Sequence, residues 1–338
     1  MGEFLCIDST KLAKLGKAIR DNTHVETVFY FGGNRCKGVA DYQCLFEGLK
    51  RNGSIRTLEM ESCNLSQGTG RGLVVTLGDR ISKLQCLSLF ECRGLGIGDD
   101  GALLAALRQF KDLKTLNILF CNIALVPAIR ELHCLEYLNI WGNDVGRVGC
   151  EGLASLVQDP RCNLHSIFLA SNQIDDICTI ILTKALRHNI SLVQMNLTGN
   201  GRITSIGCDA FSKALCNTAS INGTYFSNHT LQWVGERVWK NLSPLLTMNK
   251  SVNKSHIAIK KILNHHCNFD MEPFLEWNMK MLPLAVAWFD KARACTDGNE
   301  HSVEEQKVSA IYQFIHAMPE VYARRLRTSS SAILTYSA

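Results

Sequence analysis

An eleven-residue pattern of apolar residues recurs along the chain and constrains its fold more than any other feature. Its clearest copy spans residues 55–65. Positions one, four, six, nine and eleven of this copy are Ile55, Leu58, Met60, Cys63 and Leu65. Five more copies follow at intervals of 28 or 29 residues, with one shorter interval of 22, and they begin at Leu84, Leu113, Leu135, Leu164 and Leu192. Six copies in phase predict stacked units that bury their apolar residues against one another.

The pattern weakens at both ends of this region. A partial copy before the six consists of Val25, Val28 and Tyr30. A degenerate copy after them, with two polar substitutions, consists of Ile221, Thr224, Phe226, His229 and Leu231. We therefore expect the repeats to span residues 25–231.

Each copy predicts a short strand followed by a bend. Alternation along a strand turns positions four and six inward, and positions three, five and seven outward. Position nine is Asn or Cys, and either residue can donate a hydrogen bond to the backbone of a neighbouring turn. Helical spacing of apolar residues between copies, as in residues 101–107 and 177–186, predicts helices that alternate with the strands.

The pattern L-x-x-L-x-L-x-x-C/N-x-L resembles the leucine-rich repeat family, and its long repeats resemble the ribonuclease-inhibitor type. That resemblance implies an α/β solenoid shaped like a horseshoe, with parallel strands on the concave face and helices on the convex face. It says little about function, because the repeated residues are the buried ones. The 22-residue interval between Leu113 and Leu135 contains Pro127, and we expect a tighter segment there in place of a full helix.

The remaining segments do not follow the repeat. Residues 1–24 contain Ser9 and Thr10 before helical spacing of apolar residues, which predicts a capping helix or a partial repeat. Residues 232–325 predict a helical C-terminal cap, including helices at 255–266 and 271–294, and residues 326–338 predict a disordered tail. This C-terminal segment also resembles the tails of leucine-rich repeat proteins from diatoms and related algae.

Charge and hydropathy exclude several classes of partner. The net charge of +5 comes from 36 basic and 31 acidic residues, which is too mild and too evenly spread to predict binding to nucleic acid or an anionic membrane. The longest uncharged run of the C-terminal segment, residues 281–289, is far shorter than the ~20 residues of a membrane span.

The cysteines predict a reducing compartment. Their number, 15, is odd, and Cys63, Cys92 and Cys121 occupy equivalent buried positions of successive repeats. A chain whose cysteines serve as core residues does not need disulfides. With no basic-then-apolar signal segment at the N-terminus, we expect a cytoplasmic protein, with a nuclear location also open.

Several motifs match catalytic or metal-binding strings, and we interpret them as structural. His265, His266 and Asp270 match the H-H-x-x-x-D string of acyltransferases, but the segment is too short to build the substrate tunnel such a base requires. Adding Cys267 gives too few ligands at the spacing of a zinc site.

Two further strings have the same structural interpretation. Cys295 and Asp297 resemble the Cys-x-Asp nucleophile of bacterial ubiquitin ligases, within a segment much shorter than those catalytic domains. The glycines at 94, 96 and 98 lack the Lys-Ser/Thr of a phosphate loop. We expect no catalytic residue, no metal site and no cofactor.

The outward strand positions carry the candidate binding site. Large apolar side chains concentrate there in the middle repeats, at Phe90, Leu119, Phe120, Tyr137, Trp141 and Phe168. Aromatic side chains often dominate interfaces, and folding gives them no reason to point away from the core. A polar margin is expected at Glu59, Glu61 and Asn139, with Glu91 beside them.

These residues predict a non-catalytic module that binds a protein partner of unknown identity through the concave face. An alternative is that the C-terminal tail or a second copy covers the aromatic residues, so that a homo-oligomer stays open. A second possible function is the regulation of an enzyme. The protein would then be an inhibitor, or an activator like the Ran GTPase-activating proteins, which have a similar array of repeats. The third possible function is that of an enzyme, with His265, His266 and Asp270, or Cys295, as its catalytic residues.

Overall fold

The computed structural model describes residues 9–32, 39–65, 72–73, 83–94, 107, 110, 112–121, 129, 132–235, 240–250 and 254–265. The chain divides into two compact units. The first comprises residues 1–215 and 230–246, and the second comprises residues 216–229 and 247–338.

Seven strands form one parallel sheet in the order of the sequence. They are β1 (Thr27–Phe31), β2 (Thr57–Glu61), β3 (Cys86–Phe90), β4 (Thr115–Leu119), β5 (Tyr137–Asn139), β6 (Ser166–Phe168) and β7 (Gln194–Asn196). Position four pairs with position four across the whole sheet, as in Leu58 with Leu87 and Ile167 with Met195. The predicted phase of the six copies is confirmed, and so is the partial copy that forms β1.

Helices alternate with the strands before β2 and after β5, as predicted for an α/β repeat. They are α1 (Ser9–Asp21), α2 (Val39–Arg51), α3 (Gly146–Gln158), α4 (Asp176–Leu186), α5 (Ser205–Leu215), α6 (Ile221–Tyr225), α7 (Ser243–Met248) and α8 (Lys254–His265), with a 3-10 turn at Lys240–Leu242. Within the first unit, α1 packs on α2, α3 on α4, and α4 on α5. A Cβ atom at Gly16 would overlap the backbone of Cys44, and one at Gly48 would overlap Gly16, so glycines allow α1 and α2 to approach closely.

The core consists of the repeated apolar positions. Side chains at positions four and six of the six copies are at most 2% exposed. The outward positions of the same strands are mostly half-buried, as in the alternating pattern of β2. Burial of one strand face therefore follows the period of two that the sequence predicts.

Position eight turns the chain out of each strand. All six residues at this position have a positive φ, between 50° and 77°, which is the left-handed region: Ser62, Glu91, Phe120, Gly142, Ser171 and Gly199. Only two of them are glycine. The repeat therefore imposes this conformation on residues that rarely adopt it alone.

Position nine forms a ladder of side-chain hydrogen bonds to the backbone. Asn143 Nδ2 donates to Ile118 O at 2.6 Å and to Ile140 O at 3.0 Å. Cys92 makes the corresponding but weaker contact, with its Sγ donating to Met60 O at 3.4 Å. The predicted role of Asn and Cys at the bend is confirmed.

The described cysteines are free in this structure, and their reduced state stays a prediction. A hydrogen bond to Cys92, together with burial, raises the pKa of the Cys63 and Cys121 thiols well above the usual value for cysteine. These two groups therefore stay protonated and act as small core residues.

The degenerate closing copy was assigned to the wrong residues. Residues 221–225 form helix α6, and Phe226 is 65% exposed. The segment that follows β7 in the sheet is residues 231–235, where Met195 N donates to Trp233 O at 2.9 Å and Leu197 N donates to Val234 O at 3.1 Å. The extra α6 makes this last interval longer than the period from which the prediction was extrapolated.

The second unit contains α6 and α8, which pack on each other. The helix predicted at 255–266 is confirmed as α8, with Ile257 and Ile262 buried. Lys261 is fully buried, and its ammonium group donates to Asn228 O at 2.9 Å and to His229 Nδ1 at 3.2 Å. That geometry assigns the His229 proton to Nε2, which donates to Tyr225 O.

Several predictions fall outside the described residues. They concern most of the tighter segment around Pro127, the helices at 101–107 and 271–294, and the tail at 326–338. No helix in the described ranges has both the length and the apolarity needed to cross a membrane.

Candidate functional site: the open sheet face

Positions three, five and seven of the strands form one surface, which we call the open sheet face. Its side chains lie on the side of the sheet opposite to the buried positions four and six. The predicted binding residues all lie on this face or at the adjoining position eight. Most are half-buried, whereas Trp141 is 43% exposed and Phe120 is 42% exposed.

Phe90, Phe120 and Trp141 form the first aromatic cluster. The rings of Phe90 and Phe120 meet edge to face with centroids 5.9 Å apart, and Phe120 and Trp141 are 5.5 Å apart. Each ring comes from a different repeat. The parallel stacking of repeats therefore assembles three residues that are far apart in the sequence.

The backbone at position eight sets the direction of the Phe120 ring. Phe120 has φ of 53°, and Gly142 occupies the same position in the next repeat with φ of 69°. A Cβ atom at Gly142 would overlap the Phe120 ring. Glycine is therefore required at 142 both for the left-handed conformation and for the room that the aromatic ring occupies.

Tyr137, Phe168 and Trp233 form the second aromatic cluster. The centroids of Tyr137 and Phe168 are 5.2 Å apart, and those of Phe168 and Trp233 are 6.0 Å apart. Trp233 was missed in the sequence because the closing copy was placed ten residues too early. The signal was present in Leu231 and Val234, whose spacing matches positions one and four and which are both buried.

A depression of about 510 Å³ lies on the open sheet face, with walls shared between the two clusters. It is lined by Ser88, Phe90, Thr115, Asn117, Leu119, Tyr137 and Asn139. Four of these seven residues were predicted as binding residues. Asn117 is one of the lining residues, and its Oδ1 atom is buried and has no hydrogen-bond donor among the described residues.

Acidic side chains flank the depression on the side of the earlier repeats. Glu59 and Glu61 lie on β2, and Glu91 is exposed at the end of β3. None of the three forms an ion pair with another residue of the described ranges. Burial raises the pKa of the Cys86 thiol, and the nearby charge of Glu59 adds to this shift.

The outward positions of the described strands carry no lysine or arginine. Phe29 on β1 is 58% exposed and lies beside Glu59 of β2, although it was not among the predicted binding residues. The signal for Phe29 was its outward position in the partial first copy. The face is therefore aromatic and amide-rich at its centre and acidic toward the earlier repeats.

Of the motifs that resemble catalytic strings, the structure describes two residues: His265, which is exposed at the end of α8, and Gly94, which has φ of 87°. His266, Cys267, Asp270, Cys295 and Asp297 lie outside the described residues. Among the described residues, no group of three or more His, Cys, Asp or Glu side chains is placed to hold a metal ion.

The in-phase strands, the left-handed position eight and the Asn/Cys ladder define the class of this protein. It has the fold of a leucine-rich repeat solenoid, and its repeats are similar to those of the ribonuclease-inhibitor type. The resemblance of its C-terminal tail to those of algal proteins concerns residues that are mostly outside the described ranges, and it stays a prediction.

Sequence comparison agrees with this class. The pig (Sus scrofa) ribonuclease inhibitor is 25% identical over 197 residues, which cover 56% of this chain and 39% of the inhibitor. The mouse (Mus musculus) NACHT, LRR and PYD domains-containing protein 5 is 27% identical over 174 residues, which cover 48% of this chain and 15% of that protein. The chain thus spans less than half the length of these relatives. No family profile matches the sequence.

Among solved structures, internalin C2 from Listeria monocytogenes is similar to the chain. The match has 17% sequence identity and a TM-score of 0.37, and it covers 57% of this chain and 84% of the internalin. Similarity at this level adds nothing to what the strand order already establishes.

Proposed function

We propose that this protein is a non-catalytic module that binds a protein partner through the open sheet face. The contact residues are those of the two aromatic clusters together with Leu119, and the polar margin consists of Glu59, Glu61, Glu91 and Asn139. The observation that carries this proposal is the pair of aromatic clusters, which lie on the side of the sheet that the core does not use.

The energetics favour an interface. The core of the first unit is formed at positions four and six, so the exposed parts of the outward rings are not needed to complete it. Covering apolar surface contributes about 25 cal/mol per Å² removed from water, and aromatic residues at the centre of a patch dominate binding energies. Rings already packed against one another also lose little side-chain entropy on binding.

The charge of the face favours a protein over a nucleic acid. Proteins that bind nucleic acid place lysine and arginine against the phosphates. The described outward positions carry carboxylates and no basic residue. A phosphate backbone would be repelled by Glu59, Glu61 and Glu91.

We also propose that the protein acts in the cytoplasm or the nucleus. Free cysteines occupy the core positions Cys63, Cys92 and Cys121, where oxidation would break the ladder at the bends. Such a core is suited to a reducing compartment.

A regulator of an enzyme is a second candidate. It is favoured by the similarity to pig ribonuclease inhibitor, whose name describes the inhibition of an enzyme by a repeat protein. In this case the open sheet face would cover part of the enzyme surface, and the same residues would make the contact.

The experiment is a capture assay with the full chain and extract from its source, followed by quantitative mass spectrometry. The variant Trp141→Ala/Phe168→Ala removes one ring from each cluster, and we expect it to lose the captured partner by at least about tenfold, because central aromatic residues carry most of the binding energy. The matched control is Ile177→Ala/Ile206→Ala, which removes two exposed apolar side chains from α4 and α5.

Circular dichroism of each variant checks that the fold is retained. Capture that is equal in wild type and the Trp141/Phe168 variant would reject this face as the binding site. Loss of self-association in the same variant, measured by analytical ultracentrifugation without a captured protein, would identify the partner as a second copy.

A further inference from the structure

We propose that the partner inserts the side chain of an arginine or lysine into the depression on the open sheet face. This inference rests on the proposed function and adds the chemistry of the group that is recognised. Three independent features of the depression and its surroundings select a cationic side chain with an aliphatic stem.

The walls of the depression suit both the aliphatic stem and the charged group of an arginine or lysine side chain. Phe90, Leu119 and Tyr137 provide apolar surface around the depression, and an aliphatic stem of three or four carbons can pack against it. The faces of aromatic rings attract a guanidinium or ammonium group within about 6 Å. Arginine can in addition stack its planar group on a ring.

Asn117, which lines the depression, requires a hydrogen-bond donor. Asn117 Oδ1 is a buried acceptor without a donor among the described residues, whereas the neighbouring Asn139 Oδ1 already accepts a hydrogen bond from Trp141 N at 3.2 Å. Lysine and arginine side chains are donors only and would satisfy Asn117, whereas a carboxylate would face it with a second acceptor. A purely apolar side chain would leave Asn117 unpaired.

The charged side chains around the depression are acidic, which favours a basic side chain of the partner. Glu59 lies on β2, which precedes the depression, and Glu91 directly follows β3, which lines it; neither residue forms an ion pair with another described residue. No described outward strand position carries a competing cation. A basic segment would therefore be attracted to this end of the face and an acidic segment repelled from it.

The first experiment is a selection of phage-displayed random dodecapeptides on the full chain, with a parallel selection on the Phe90→Ala variant. We expect peptides that depend on Phe90 to carry an arginine or lysine next to apolar residues. Peptides that depend on Phe90 but lack a basic residue would overturn this inference and leave the proposed function standing. Recovery of no such peptide would contradict both.

The second experiment measures the affinity of one selected arginine peptide by fluorescence anisotropy. Replacing its arginine with norleucine keeps most of the stem and removes the donors and charge, and we expect about tenfold weaker binding. Asn117→Asp should strengthen binding of the arginine peptide several-fold and leave the norleucine peptide unchanged, an effect that a merely structural role of Asn117 would not produce.

The matched control is Asn196→Asp, the same substitution at position five of β7, outside the lining of the depression. We expect it to change the affinity of the arginine peptide by less than about twofold. Equal effects of the two substitutions, or equal binding of the arginine and norleucine peptides, would overturn the inference.

Discussion

At the scale of single residues, positions eight and nine of each repeat maintain the turn that follows each strand. The residue at position eight has a left-handed backbone conformation, and the buried side chain at position nine holds the turn through hydrogen bonds to the backbone. Asn200 illustrates this, because its Nδ2 donates to Leu169 O and Leu197 O, and its Oδ1 accepts from the backbone N–H groups of Asn172 and Ile174. One side chain thereby satisfies four buried backbone groups of two repeats.

We predict that Asn200→Ala destabilises the protein strongly. The substitution leaves buried backbone donors and acceptors without partners, and each such group costs about 1–3 kcal/mol. Urea unfolding followed by circular dichroism measures the loss. Asn163→Ala, at an exposed position outside the ladder, is the control, and a similar midpoint for both variants would show that the ladder does not hold the bend.

At the scale of strands and helices, neighbouring repeats are joined by side chains as well as by the sheet. Asp176 at the start of α4 accepts hydrogen bonds from Thr204 N at 2.8 Å and from Gly207 N at 2.9 Å, just before and within α5. The hydrogen bond from the Thr204 hydroxyl lowers the pKa of Asp176 below its usual value. Asp176 therefore couples the start of one helix to the start of the next.

This coupling predicts a dependence of stability on pH. Because the folded-state pKa is lowered, the stabilisation by Asp176 is complete above the unfolded pKa of about 3.9 and is lost as the pH falls through the folded pKa. We expect the urea midpoint to fall less steeply between about pH 5 and about pH 3 in Asp176→Asn than in wild type. Asp209→Asn, an exposed carboxylate on α5, is the control, and identical slopes for all three proteins would contradict this role.

Much of the arrangement of the strands was predictable from the sequence. The strands, their phase and the inward positions follow from leucines and their substitutes at fixed spacing, because burial on one face demands that spacing. The closing strand at 231–235 was not predictable by extrapolation, because α6 lengthens the last interval. Trp233 was missed for that reason, although the other members of the two aromatic clusters were identified.

At the scale of the whole molecule, the candidate binding site exists because the repeats stack on one another. Each aromatic residue of the open sheet face belongs to one repeat, and only the parallel register brings the rings within contact. The sequence predicted which residues point outward. It could not predict that they form two clusters with an open depression between them, nor that Asn117 lacks a donor among the described residues, because these features depend on distances between repeats.

Hydroxyl-radical footprinting of the full chain, free and bound to the captured partner, tests most directly whether the open sheet face is the binding surface. We predict that Trp141 and Phe120 are oxidised readily in the free protein, and that the partner suppresses oxidation of both together with Phe168 and Trp233. Ile177 and Ile206 on the helices should be unaffected. Protection of the rings in the free monomer, or a bound partner that leaves their oxidation unchanged, would contradict the account.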